Sequence, residues 1–154
     1  MNRFQPAGKV KNIKGSILAP HDAGLRFVLS VTSLSGKSDD HPLYPLFDKK
    51  WKQVKQDAKG WFTNKTGSYK LGATNVTAVQ SDTWVIHMLC QDDDLKVDTT
   101  ALSECLKKVC ESAKYEKASV HVSSLLTEAV PELNNLVSEH LVKSGVNVLY
   151  YEEV

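Results

Sequence analysis

Two predominantly apolar runs constrain this chain more than anything else in it. One is "LRFVLSV" at residues 25–31, and the other is "WVIHML" at 84–89. Neither alternates with polar residues, and each has the length of one strand rather than of a membrane-crossing helix. A strand that is apolar on both sides needs cover on both faces, which implies a sheet lying between helices. The rest of the chain supplies candidates for that cover.

"PLYPLFDKKWKQVKQD" (42–57) puts Leu43, Leu46, Phe47 and Val54 on helical spacing, with Lys49, Lys50, Lys52 and Lys55 left for solvent. "TTALSECLKKVCESAKYEKA" (99–118) carries the stripe Leu102, Cys105, Leu106, Val109 and Ala113, with Thr99 or Thr100 as its cap. Pro131 suits the first turn of a further helix, whose stripe is Leu133, Leu136, Val137, His140 and Leu141 and which stops at Gly145.

Between these lie strand signals. "KVKNIKGSIL" (9–18) reads as an edge strand turning at Gly15. "YKLGATNVTAVQSDTWVIHMLCQ" (69–91) reads as two strands joined at Gln80, Ser81 and Asp82. "ASVHV" (118–122) and "VNVLYY" (146–151) are short strands, and "KGWFTNKTGS" (59–68) reads as a turn segment. Strands alternating with helices predict an α/β layered domain with a mixed or largely parallel sheet.

Length and charge narrow the class. A chain of 154 residues fits one domain, 1–154, with about the first eight residues as a flexible lead-in. The net charge of +1 conceals a division. Residues 1–80 carry 13 Lys+Arg against 5 Asp+Glu, and residues 81–154 carry 6 against 13. Within one domain this is expected to reflect solvated faces, not a nucleic-acid-binding stripe. No membrane partner is expected, because no run of about 18 apolar residues is present. The start, "MNRFQPAGKV", lacks the apolar segment of a secretory signal. Cys90, Cys105 and Cys110 are odd in number and follow no framework spacing, which predicts a reducing, intracellular setting.

Familiar chemical motifs fail in turn. Gly36-Lys37-Ser38 ends like a P-loop, but that loop needs a glycine where Val31 stands. Cys105 and Cys110 are five apart on a helix, and His87 and Cys90 are three apart on a strand; neither is a zinc spacing. His87 and His121 fall inside strands, where a hydrogen-bonded structural histidine is expected. There is no Gly-x-Ser-x-Gly elbow. "QDDDLKVD" (91–98) groups four aspartates after a buried strand, a position suited to ligands but read as a solvated acidic loop without a metal partner. These residues call for no catalytic centre, no metal and no cofactor.

"ALSECLKKVCESAKYEKASVHV" (101–122) followed by "LVSEHLVKSGVNVLYY" (136–151) resembles the macro domain family, in particular the macro domains of poly(ADP-ribose)-activated SNF2-type chromatin remodellers. The likeness extends through "NIKGSILAP", "FVLSVTSLSGKSDDHPLYPLFDKKW", "KLGATNVTAV" and "WVIHMLCQ", covering most of the chain in order. It implies a three-layer α/β/α fold with a mixed central sheet. It also implies an ADP-ribose cleft at the carboxyl ends of the strands, where glycine-rich loops bring backbone N–H groups onto the diphosphate.

By that resemblance the cleft comprises Ser16 and Ile17 after the first strand, and Ser35, Gly36, Lys37, Asp39 and Asp40 in the first loop. Ser123, Ser124 and Leu125 stand in the second. The ligand groups are depleted at each place. Ser16 replaces the family's adenine-binding aspartate. Asp39, Asp40, His41 and Pro42 replace a glycine-rich segment, adding repulsive carboxylates and removing a donor. "SSLLTEAVP" (123–131) contains no glycine.

The expected function is a non-catalytic macro-like module of a nuclear DNA-repair or chromatin protein, working through a protein partner with a degenerate cleft. The alternatives are a reader of ADP-ribose or poly(ADP-ribose) with altered loops and, behind it, an ADP-ribosyl hydrolase using Lys37 and Asp39.

Overall fold

The computed structural model describes residues 6–36, 41–64 and 69–153. Its strands are β1 (Val10–Lys14), β2 (Arg26–Ser33), β3 (Thr74–Gln80), β4 (Thr83–Gln91), β5 (Ser119–Ser123) and β6 (Val148–Glu152). They form one sheet in the order β1-β6-β5-β2-β4-β3. Only the β3–β4 hairpin is antiparallel; all other neighbours run parallel. The mixed sheet predicted from the strand and helix pattern is therefore present.

The two apolar runs became neighbouring central strands, β2 and β4, paired from Arg26–Thr83 onward. Because side chains alternate along a strand, Phe27, Leu29 and Val31 share one face with Trp84, Ile86 and Met88. Val28 and Ser30 share the other with Val85 and His87. Phe27 and Trp84 stack with centroids 5.6 Å apart.

The helices are α1 (Leu43–Phe47), α2 (Gln53–Asn64), α3 (Thr99–Glu116), α4 (Ser124–Ala129) and α5 (Leu133–Val137), the last continued by a π-helical turn over Ser138–Val142. Helix α3 covers the Trp84–Ile86 face, with Leu102, Cys105, Leu106 and Val109 buried. Its cap is Asp98, one residue before the expected threonines; the carboxylate accepts the Ala101 N–H at 2.9 Å. On the other face Trp61 of α2 packs against Leu89 and Ala73.

The segment 42–57, expected as one helix, is two. The helix breaks across residues 48–52, and α2 then runs on through Asn64, into the segment expected to be a turn. Val54, Ala58 and Trp61 explain the extension, since they lie on one helical stripe and are all buried. Residues 1–5 of the expected lead-in lie outside the described residues. Gly8 is tied down, its N–H donating to Val142 O at 2.7 Å.

Candidate functional site

Parallel strands ending together leave a crest at their carboxyl ends. Here it is built by the turn after β1, the end of β5 and the residue following β6. Gly15 N–H donates to Glu152 O at 3.1 Å, fixing the first turn to β6. The turn is held by Ser16, whose Oγ accepts the Leu18 N–H at 3.1 Å and whose carbonyl accepts the Ala19 N–H at 3.0 Å. Ile17 is wholly buried, and its N–H donates to Glu153 Oε2 at 3.0 Å.

From the β5 side, the Ser123 hydroxyl donates to the same Glu153 oxygen at 2.9 Å. Ser123 Oγ also accepts the Leu125 N–H at 3.2 Å and so caps α4. Ser124 Oγ accepts the Glu153 N–H at 3.1 Å. The structure thus brings Ser16, Ile17, Ser123, Ser124 and Leu125 to one place, around a residue that the sequence pattern did not single out. Glu153 sits in a C-terminal Glu-Glu pair, and nothing in its spacing marks it. The segment after β5, expected as a loop, is a helix from Ser124 onward, so strand passes to helix with no intervening ligand loop.

The first-loop residues Ser35 and Gly36 are anchored to the end of β2. Gly36 N–H donates to Ser33 O at 3.1 Å, and the Ser33 and Ser35 hydroxyls are 2.8 Å apart. Gly36 has φ +72°, and a Cβ there would come within 2.5 Å of the Phe62 ring. Its missing side chain thus admits an aromatic ring of α2. Tyr69 closes the same corner, its hydroxyl donating to Ser33 O at 2.6 Å and its ring set edge-on to Trp61. Lys37, Asp39 and Asp40 lie outside the described residues. His41 follows them, buried; its Nδ1 accepts the Leu43 N–H at 3.1 Å, and burial lowers its pKa to about 4.

Beside the crest runs a groove of about 460 Å³ along β1 and β6, with Asn12, Lys14, Tyr150, Ser124 and Asn134 in its walls. Burial raises the Tyr150 pKa. Elsewhere the acidic loop is explained by its own turn: Asp92 Oδ1 accepts the N–H groups of Asp94 and Lys96 at 2.8 and 3.0 Å. Among the described residues no group of three or more His, Cys, Asp or Glu side chains could hold a metal ion, and no helix is long and apolar enough to cross a membrane.

No protein-family model matches the chain, and neither does any curated protein. Solved structures do resemble it. A macrodomain protein from Streptomyces coelicolor superposes with a TM-score of 0.79 at 21% identity, over 95% of this chain and 100% of that one. A Bacteroides thetaiotaomicron protein of unknown function gives 0.79 at 23% identity, over 95% and 99%. The macrodomain of Thermus aquaticus DarG gives 0.66 at 14% identity, over 94% and 99%. With the strand order and the crest geometry, these likenesses give the chain the macrodomain fold.

Proposed function

We propose that this chain is a non-catalytic macrodomain module that works through protein contacts, its ADP-ribose cleft having been closed from within. The supporting observation is the Glu153 carboxylate, which takes the Ile17 N–H and the Ser123 hydroxyl at the crest. A ligand phosphate arriving there would meet a negative charge where it needs donors. The direct passage from β5 into α4 and the packing of Gly36 on Phe62 support the same reading. The assignment to a nuclear DNA-repair or chromatin protein rests on the resemblance of residues 101–122 and 136–151 alone. Imaging of the tagged full-length protein in its own cells tests that assignment.

Calorimetric titration with ADP-ribose and with poly(ADP-ribose) tests the closed cleft. The expected result is no saturable heat up to about 1 mM ligand, corresponding to a binding free energy weaker than about −4 kcal/mol. Micromolar binding overturns the reading. It would favour the reader alternative, for which the open groove beside Asn12 and Asn134 offers space. Release of ADP-ribose from a modified protein would overturn the non-catalytic assignment.

A further inference from the structure

We infer that the Ile17 N–H and the Ser123 hydroxyl form a preorganised carboxylate-binding site, which this chain fills with its own Glu153. This rests on the crest being occupied from within, as the proposed function holds, but adds that the site survives removal of its occupant.

Both donors are held in place by bonds that do not involve Glu153. Ile17 sits in a turn closed by the Ser16 hydroxyl on Leu18 N–H and by the Ser16 carbonyl on Ala19 N–H. Ser123 ends a strand, is 1% exposed, and has its Oγ oriented by the Leu125 N–H. The two donors come from different elements and converge on one oxygen, Glu153 Oε2, at 3.0 and 2.9 Å. Hydrogen bonds to an ionised acceptor are the stronger class, and a buried donor left without a partner is costly. An emptied site would therefore favour a new anion. Replacing Glu153 by alanine removes a methylene and a carboxylate, a volume close to that of acetate. The occupant it replaces is a carboxylate, so a small monocarboxylate is the fitting class and a tetrahedral phosphate is not.

The test is thermal unfolding of wild type and Glu153→Ala in sodium acetate, sodium phosphate and sodium chloride at equal ionic strength. Glu153→Ala is expected to melt roughly 3–8 °C below wild type in chloride. Acetate at roughly 100 mM should recover about 2–4 °C in the variant and leave wild type unmoved. Equal melting in acetate and chloride, or an equal rise in both proteins, overturns the inference, and recovery by phosphate instead of acetate overturns the choice of ligand class.

Should Glu153→Ala fail to fold, Glu153→Gln keeps the shape and a neutral acceptor. Its Ile17 amide proton resonance is then expected upfield of the wild-type position, and an unmoved resonance overturns the site. ADP-ribose binding by wild type would sink the closed-cleft function without deciding whether acetate binds the emptied site.

Discussion

The Tyr151 hydroxyl stands 2.7 Å from Nδ1 of His121, and the two rings stack with centroids 5.6 Å apart. Tyr151 also accepts the His21 N–H at 2.8 Å, while His121 Nε2 lies 2.7 Å from Ser119 Oγ. Both ring nitrogens are thus occupied in a buried setting, and burial, reinforced by the Arg26 charge, lowers the His121 pKa to about 4. Burial does the same to His41 and His87.

A pH dependence follows from these three histidines. Their folded pKa values lie below the usual 6.5, so the unfolded chain binds protons first as pH falls. The stability gained from keeping them neutral is complete above about pH 6.5 and is lost as pH falls toward about 4. Urea titrations should give constant unfolding free energies at pH 7–8 and a steep decline between about 6.5 and 4, approaching three protons taken up per unfolding event. A level profile across that window would contradict the neutral burial.

Tyr151→Phe keeps the stacked ring but strips the partner from His21 N–H and from His121 Nδ1. The expected cost is about 1–3 kcal/mol, since the buried His121 imidazole loses its bond without regaining water. Equilibrium denaturation measures it, and a loss below about 0.5 kcal/mol would show the network to be dispensable.

Gly36 and Gly24 separate two reasons for a glycine. Both have positive φ, but a Cβ at Gly24 meets nothing within 4 Å, whereas one at Gly36 strikes Phe62. Gly24→Ala should cost about 1 kcal/mol from backbone strain alone. Gly36→Ala should cost about 2–3 kcal/mol, adding displacement of the ring. Equal shifts in urea midpoint for the two variants would remove Phe62 from the explanation.

The three thiols are expected to resist alkylation in the native state at pH 8. All are buried; burial pushes Cys105 up to about 12 and Cys90 higher still. Since the thiolate is the nucleophile, iodoacetamide should label about three groups in denaturant and almost none in buffer, with the 9% exposed Cys110 leading. Rapid native labelling of Cys90 or Cys105 would contradict the packing.

The central layer was legible because it rests on periodicity. The runs that became β2 and β4, and the stripe of α3, advertise their burial in residue type alone. The second half of α2 and the whole of α4 were hidden for opposite reasons. In α2, Gly60, Thr63 and Asn64 mimic turn chemistry while Trp61 anchors the helix from the far side of the sheet. In α4, six residues are too few to establish a period, and its cap, Ser123, also reads as a loop serine. At the crest, Ser16, Ile17, Ser123, Ser124 and Leu125 were reached only through resemblance. Glu153 could not be reached at all, because its significance lies in a contact across 136 residues that no local pattern encodes.

The parallel pairing of β1 with β6 joins positions 138 apart, as the Lys9–Asn147 bond beside it records. In the unfolded chain, closing so long a loop costs about 4 kcal/mol in entropy, and β1 offers five residues, four of them exposed, in return. The cost largely vanishes once β2, β5 and β6 have assembled, because β1 then hangs from β2 by the short segment 15–25. Loop-closure entropy therefore favours docking of β1 after β2, β5 and β6 have paired, which would complete the crest late in folding.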